Sequence, residues 1–473
     1  MSKLWGKGAV ELAAMIRGRQ VSSREVIQAH LDRIEAVNPH LNAIVRLLPD
    51  ALAAADAADQ AVADGAPLGP LHGVPFTVKE NIDLAGTPTT QAIPALAEAV
   101  APVDAPQVER LRAAGAIPIG RTNLPDFGLR VHTDSALHGL TRNPWHPEHS
   151  AGGSSGGEAA ALATGMSPLG LGNDLGGSLR NPAHCCGVAS IKPSAGAVPS
   201  ATVIPPEDWN ISFQLMAVEG VMARRVADVR AGFTVIAGQH PRDPLSVPAV
   251  FTDLDLKTRG ERPAVAVLPE PPGGSTHPEV AAAVRRAADA LADDGFKVTE
   301  AVPPDYEQAL ELWSTILMTD LRILRPVLDE LMGPGGRTFL GYALDNLPPS
   351  DLAGWATALT ARHGLARRWS LWYQDYPVLL CPVWTQPAFP LDFDVASLDN
   401  AFATLELMRP VLPANLLGTP SAVVPAGMAA GLPVGVQVMG GKYTDLRCLA
   451  VAGAIEQRLG PAAPVTPIDP VMA

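Results

Sequence analysis

Between residues 74 and 192 the sequence switches repeatedly between two hydrophobic periods, and this alternation constrains the fold more than any other feature. Val74, Phe76 and Val78 alternate with other residues, which reads as a strand with Lys79 near its end. APQVERLRAAGA then reads as helix and IPIG as strand, GGEAAALATG as helix and PLGLG as strand, SLRNPAHCCG as helix and VASIKP as strand. Strands interleaved with helices predict an α/β protein with its sheet covered by helices. Downstream, 224–238, 277–295 and the segment LRCLAVAGAIEQRLG read as helices. PAVAVLP, FKVTEAV, YPVLLCPV, SAVVPAG and VGVQVMG read as strands. Upstream, Ser22 and Glu25 frame a capping box ahead of a helix, and an alanine-rich helix runs from 50 to 64. Residues 301–375, punctuated by MGPGGRTF and NLPPSDLAG, are less regular and read as a helical excursion over the sheet.

The composition supports a large core: 47% of the 473 residues are hydrophobic and 18% charged, which excludes disorder for the bulk of the chain. A net charge of −13 disfavours nucleic acid and anionic membrane surfaces as partners. The chain has no run of about 18 apolar residues, and MSKLWGKGAV carries charge where a secretion signal needs an apolar stretch. Cys185, Cys186, Cys381 and Cys448 form no CxxC pair, and the spacing of His132, His138, His146 and His149 matches no zinc signature. A cytoplasmic protein without a metal site is expected, acting as a monomer or homodimer.

Two glycine–serine clusters lie within SAGGSSGGEAAALATGMSPLGLGNDLGGSLRNPAHCCG, residues 150–187. Gly152–Gly156 formally matches G-x-S-x-G, but the preceding TRNPWHPEHSA is a loop and not the strand a nucleophile elbow requires. A phosphate cradle lacks its lysine, and Glu158 would repel phosphate. Glycines also let backbone approach a small substrate. The run Leu175-Gly176-Gly177-Ser178 opens a helix, so its N–H groups could converge on an oxyanion beside the Ser178 hydroxyl. A serine nucleophile needs a base. With no histidine suitably placed, a lysine desolvated in the sheet is the alternative, and Lys79 fits.

These segments, with LHGVPFTVKEN, GAIPIGRTNLPDF and the C-terminal NLLGTPSAVVPAG and LPVGVQVMGG, make the chain resemble the amidase signature family. The resemblance covers most of the chain and fades between about 240 and 375. It implies an α/β fold with a large central mixed β-sheet covered on both faces by helices, in one amidase signature domain over 1–473. N-terminal helices span 8–65, a catalytic core 66–240, a variable excursion about 301–375, and a sheet-completing part 376–460.

It also implies a Ser–cis-Ser–Lys triad: Ser178 as nucleophile, Ser154 as relay after a cis Gly153–Ser154 peptide, and Lys79 as base, at separations of 75 and 24 residues. Backbone N–H groups of Leu175, Gly176, Gly177 and Ser178 would form the oxyanion hole. Ser178 would also cap the following helix. Ser155 would either hydrogen-bond Lys79 or cap its own helix, Asp174 and Arg180 would brace the loop, and Glu158 would complement a helix dipole.

The implied activity is hydrolysis of a small amide, and of esters or carbamates in some members, through an acyl-enzyme without metal or organic cofactor. Phe127, Trp209, Phe213, Trp313, Ile316 and Trp384 would give an apolar or aryl pocket, or else belong to the core. Two alternatives stand: the catalytic subunit of a glutamine-dependent aminoacyl-tRNA amidotransferase, and a non-catalytic protein that holds a small ligand.

Overall fold

The computed structural model describes residues 3–205, 207–248 and 262–467. Among these the strands are β1 (Ile44–Leu47), β2 (Pro75–Lys79), β3 (Ile117–Thr122), β4 (Asp134–Ser135), β5 (Gly139–Leu140), β6 (Leu169–Asp174), β7 (Ala189–Lys192), β8 (Val218–Ala223), β9 (Val265–Val267), β10 (Val298–Glu300), β11 (Val378–Pro382), β12 (Ser421–Ala429) and β13 (Leu432–Gly440). Eleven of them form one sheet in the order β1-β3-β2-β6-β8-β7-β12-β13-β11-β9-β10, and β4 and β5 pair separately. The sheet is mixed. β2 runs parallel to both β3 and β6, β8 is antiparallel to β6 and β7, and β9 lies parallel to β10 and β11.

Two hydrophobic clusters flank this sheet. One joins Phe76 and Val78 of β2 to the helices Ala9–Arg17, Val226–Ile236, Pro278–Asp293 and Asp445–Leu459. The other holds Gly156–Ala163, Arg180–Cys186 and Tyr306–Leu331. Every residue of Gly156–Ala163 and of Arg180–Cys186 is buried. Alanine, glycine and cysteine leave these short helices little polar face for water, and the polar side chains they do carry, Glu158 and Arg180 among them, find partners inside the protein. Both glycine–serine clusters sit at the N-terminal ends of these two helices and are thereby carried into the interior.

The Ser22–Glu25 capping box forms reciprocally, a feature worth about 1 kcal/mol. Residues 301–375, irregular on paper, hold three regular helices: Tyr306–Leu331, Pro334–Asn346 and Leu352–Asp375. The strands β1 and β8 and the helices Ile211–Met216, Leu398–Leu407 and Leu412–Leu417 have no counterpart among the elements read from sequence. All four cysteines are buried free thiols. No helix of the described residues is long and apolar enough to cross a membrane.

Candidate active site

All five residues of β2 are buried, and the strand delivers Lys79 into the interior with no solvent exposure. Its Nζ lies 2.7 Å from Ser154 Oγ and 2.7 Å from Asn173 Oδ1. Burial lowers the Lys79 ammonium from its usual range to about 7; Glu219, Asp174 and Glu158 pull the other way by favouring the charged form.

Ser154 follows a cis peptide bond from Gly153. Its loop is fastened from several sides. Thr133 Oγ1 donates to the Gly152 carbonyl (2.8 Å) and accepts from the Gly156 N–H (3.1 Å), and Asn143 Nδ2 donates to the Ser150 carbonyl (2.9 Å). The Ser155 N–H donates to the Ser178 carbonyl (3.2 Å), which stitches the first cluster to the second. The Ser155 hydroxyl does neither of the things expected of it. It is buried, has no hydrogen-bond partner among the described residues, and does not cap its helix. The second partner of Lys79 is Asn173 instead.

In the second cluster Asp174 is the hub. Its carboxylate accepts from the N–H groups of Gly177 (2.8 Å) and Leu179 (3.1 Å), from Arg180 Nε (3.0 Å) and Nη2 (2.9 Å), and from Asn415 Nδ2 (2.9 Å). Burial opposes its ionisation, but Arg180 overrides this and holds the carboxyl well below the usual carboxylate range. Gly177 adopts φ 102°, in the left-handed region that side chains avoid, and a Cβ there would meet Val411 Cγ2 at 2.8 Å. Two expectations change here. Gly177 gives its N–H to Asp174, so this donor already belongs to the brace. Ser178 is not the N-cap, because the helix starts at Arg180 with Leu179 in the cap position and no side-chain cap. The Ser178 hydroxyl is half-buried and makes no hydrogen bond among the described residues, so the chain of contacts is closed from Lys79 to Ser154 and open from Ser154 to Ser178.

Ser178 stands where two cavities meet. The larger, about 570 Å³, also touches Ser154, Asn81, Asn173 and Glu219 and carries Phe127, Trp209 and Phe213 on its wall. The Trp209 and Phe213 rings stack at 5.4 Å with 4° between their planes. The smaller, about 70 Å³, is apolar and is walled by Leu129, Trp313, Leu317, Met318, Phe339 and Met408. Trp313 Nε1 donates to the Leu175 carbonyl (3.1 Å), tying this wall to the loop. Ile316 and Trp384 line neither cavity. Both are wholly buried: Ile316 on the core side of its helix, Trp384 stacked on Phe389 at 5.7 Å.

Three polar residues of the site escaped the sequence reading: Asn173, Asn81 and Glu219. Asn173 Nδ2 donates to Asn81 Oδ1 (3.1 Å), which fixes its Oδ1 toward Lys79. The signal for Asn173 was its place at the end of an apolar strand beside the strand that ends in Lys79. Glu158, expected to complement a helix dipole, does more than that. Its buried carboxyl accepts from the hydroxyls of Thr77 and Thr122, and burial pushes it up to about 8. Among the described residues, no group of three or more His, Cys, Asp or Glu is placed to share a metal ion.

The family model Amidase matches residues 25–449. An indoleacetamide hydrolase from Bradyrhizobium diazoefficiens is 41% identical over 467 residues, 97% of this chain and 87% of that protein. One of the subunits of glutamyl-tRNA(Gln) amidotransferase from Salinispora arenicola is 34% identical over 499 aligned positions, 98% of this chain and 99% of that one. Among solved structures, 6-aminohexanoate cyclic dimer hydrolase complexed with substrate superposes with a TM-score of 0.84 at 28% identity, covering 97% of this chain and 98% of that one.

Proposed function

This chain belongs to the amidase signature family of hydrolases, and from that premise we propose that it cleaves the carbon–nitrogen bond of a small apolar or aryl amide through an acyl-enzyme on Ser178. The observation that carries the reading is the buried 2.7 Å contact between Lys79 and Ser154, opening on the cavity that Ser178 also lines. As a free base, Lys79 keeps one N–H for Asn173 Oδ1 and turns its lone pair to the Ser154 hydroxyl. Rotation of the Ser178 side chain toward Ser154 on substrate binding completes the relay; catalytic hydrogen bonds are often long before substrate is bound. Ser178 Oγ then attacks the carbonyl carbon as its proton passes to Ser154 and that of Ser154 to Lys79. The N–H groups of Leu175, Gly176 and Ser178 face the developing oxyanion, and Gly177 supports them through Asp174. The proton returns through Ser154 to the leaving nitrogen, and water hydrolyses the ester. The whole chain acts as one catalytic unit.

The apolar cavity beside Ser178 receives the acyl group and the larger cavity the leaving group. A small apolar acyl group on a larger, aryl-bearing amine, as in an anilide, is the substrate class this favours. The test is an activity screen over arylacetamides, anilides, primary aliphatic amides, esters and carbamates, with Ser178→Ala as control. Turnover of anilides by the wild type alone supports the reading, and equal turnover by Ser178→Ala overturns it. The amidotransferase relative keeps a second reading open, in which the chain releases ammonia from glutamine within a larger assembly. Co-purification with two further proteins, and glutaminase activity that depends on them, would favour that reading.

A further inference from the structure

We propose that Glu219 controls whether Lys79 carries a proton, with Asn173 as the bridge between the two side chains. The proposal rests on the reading of Lys79 as the general base. β2, β6 and β8 are consecutive in the sheet. Lys79 at the end of β2 bonds Asn173 of β6, and Asn173 lies directly opposite Glu219 of β8 in the antiparallel register. Directly opposed residues project to the same face of a sheet, so lysine, amide and carboxyl form a row across three strands.

What singles out Glu219 is how little else satisfies it. Two other carboxyl groups act on Lys79, and a third follows it in the chain. Asp174, on β6, is neutralised by Arg180 and held by two backbone N–H groups and Asn415. Glu158, on the buried helix, is saturated by two threonine hydroxyls. Glu80 has its Oε2 paired with both His138 and Thr90, and its Oε1 has no partner among the described residues. Glu219 is 8% exposed, its Oε1 accepts one long bond from Ser200 (3.3 Å), and its Oε2 has no partner among the described residues. Gln107, from the helix Pro106–Ala113, faces the same carboxyl, and Arg242 and Asp243 stand elsewhere on the cavity wall, with Asp243 held by the Ser200 and Leu245 N–H groups. A buried carboxylate with so few donors is unstable unless a cation compensates it, and Lys79 is the ammonium it faces.

Burial acts on the two groups in opposite senses, lowering Lys79 and raising Glu219, each to about 7. Near neutral pH the pair therefore holds one proton between them. On Lys79 it leaves an ammonium and a carboxylate with Asn173 between them. On Glu219 it leaves a neutral acid beside a free amine, the form the base needs, with no isolated charge left in the interior. Glu219 is thus a positioning residue that acts through Lys79.

The experiment is the pH dependence of Ser178 labelling by a fluorophosphonate, read by mass spectrometry, in wild type and Glu219→Gln. Gln keeps the shape and removes the charge, so the ammonium loses its counter-ion and deprotonates at lower pH. The acid limb of the labelling rate should move down by about 1 pH unit. An acid limb that stays in place or moves up overturns the proposal. Should Glu219→Gln fail to fold, Glu219→Asp carries the test: its shorter carboxylate must also lower the limb, and an unmoved limb is equally fatal. Labelling of Lys79→Met at the wild-type rate would sink the underlying reading instead, so the two failures are distinguishable.

Discussion

Asp174 and Arg180 close on each other inside the second glycine loop, with Oδ1 2.9 Å from Nη2 and Oδ2 3.0 Å from Nε, and both side chains are wholly buried. Arg180 also reaches the Val411 carbonyl (2.8 Å) and Asn415 Oδ1 (2.5 Å). The pair thereby ties the backbone that carries Ser178 to the C-terminal part of the chain.

Removing one partner leaves an uncompensated buried charge, so Arg180→Gln should lower stability by about 3–5 kcal/mol. Urea unfolding at pH 7 measures this, and a loss below about 1 kcal/mol would contradict it. The pH dependence follows from the depressed Asp174 carboxyl. Its contribution is present above the unfolded value of about 4 and is lost as pH falls below that toward the folded value. The gap between wild type and variant should therefore narrow below pH ~4.

Glu158 behaves in the opposite sense. Its folded value is raised from 4.5 to about 8, so the folded protein binds more protons than the unfolded chain between these limits, and stability drains away as pH rises through them. Glu158→Gln cannot ionise and escapes that loss. Measured by urea unfolding at pH 5 and pH 8, the stability of Glu158→Gln relative to wild type should improve at the higher pH. A difference that is the same at both values would show that the carboxyl is ionised throughout.

The apolar cavity is set by close contact. A Cβ on Gly176 would meet Trp313 Cζ2 at 2.8 Å and Met408 Cε at 3.1 Å. Gly176→Ala should therefore reduce kcat/KM for bulky apolar acyl groups by about 10- to 100-fold, while acetyl amides suffer less. Trp313→Leu should shift preference toward larger acyl groups. Steady-state kinetics over an acyl series decides; equal losses across the series would place the acyl group elsewhere.

Much of this was legible where a local pattern and the final environment coincide. β2 could be read because Val74, Phe76 and Val78 alternate, and its end could be picked because a lysine interrupts an apolar run. The two buried helices could be read from alanine and cysteine runs opened by glycine. β8 could not. Glu219 and Gly220 break its apolar pattern, and both are accommodated only by neighbours far away in sequence: Asn173 opposite the glutamate, and the Ile191 carbonyl pressed against the space a Cβ of Gly220 would fill. The roles of Ser155 and Gly177 were misread for a related reason. Which hydroxyl or N–H faces Lys79 or the oxyanion depends on the turn geometry of the loop, which glycine-rich sequence leaves open. Trp384 and Ile316 have the composition of pocket residues, and only packing assigns them to the core.

The central claim is that Lys79 is the base that activates Ser178 through Ser154. The most direct test is the labelling rate of Ser178 by a fluorophosphonate in Lys79→Met, measured beside wild type across pH 5 to 9. A positioned general base contributes about 10²- to 10⁴-fold. The account predicts a loss of that order at pH 8, together with disappearance of the acid limb expected of wild type near pH 7. Labelling of Lys79→Met at the wild-type rate, or an unchanged pH profile, would contradict it.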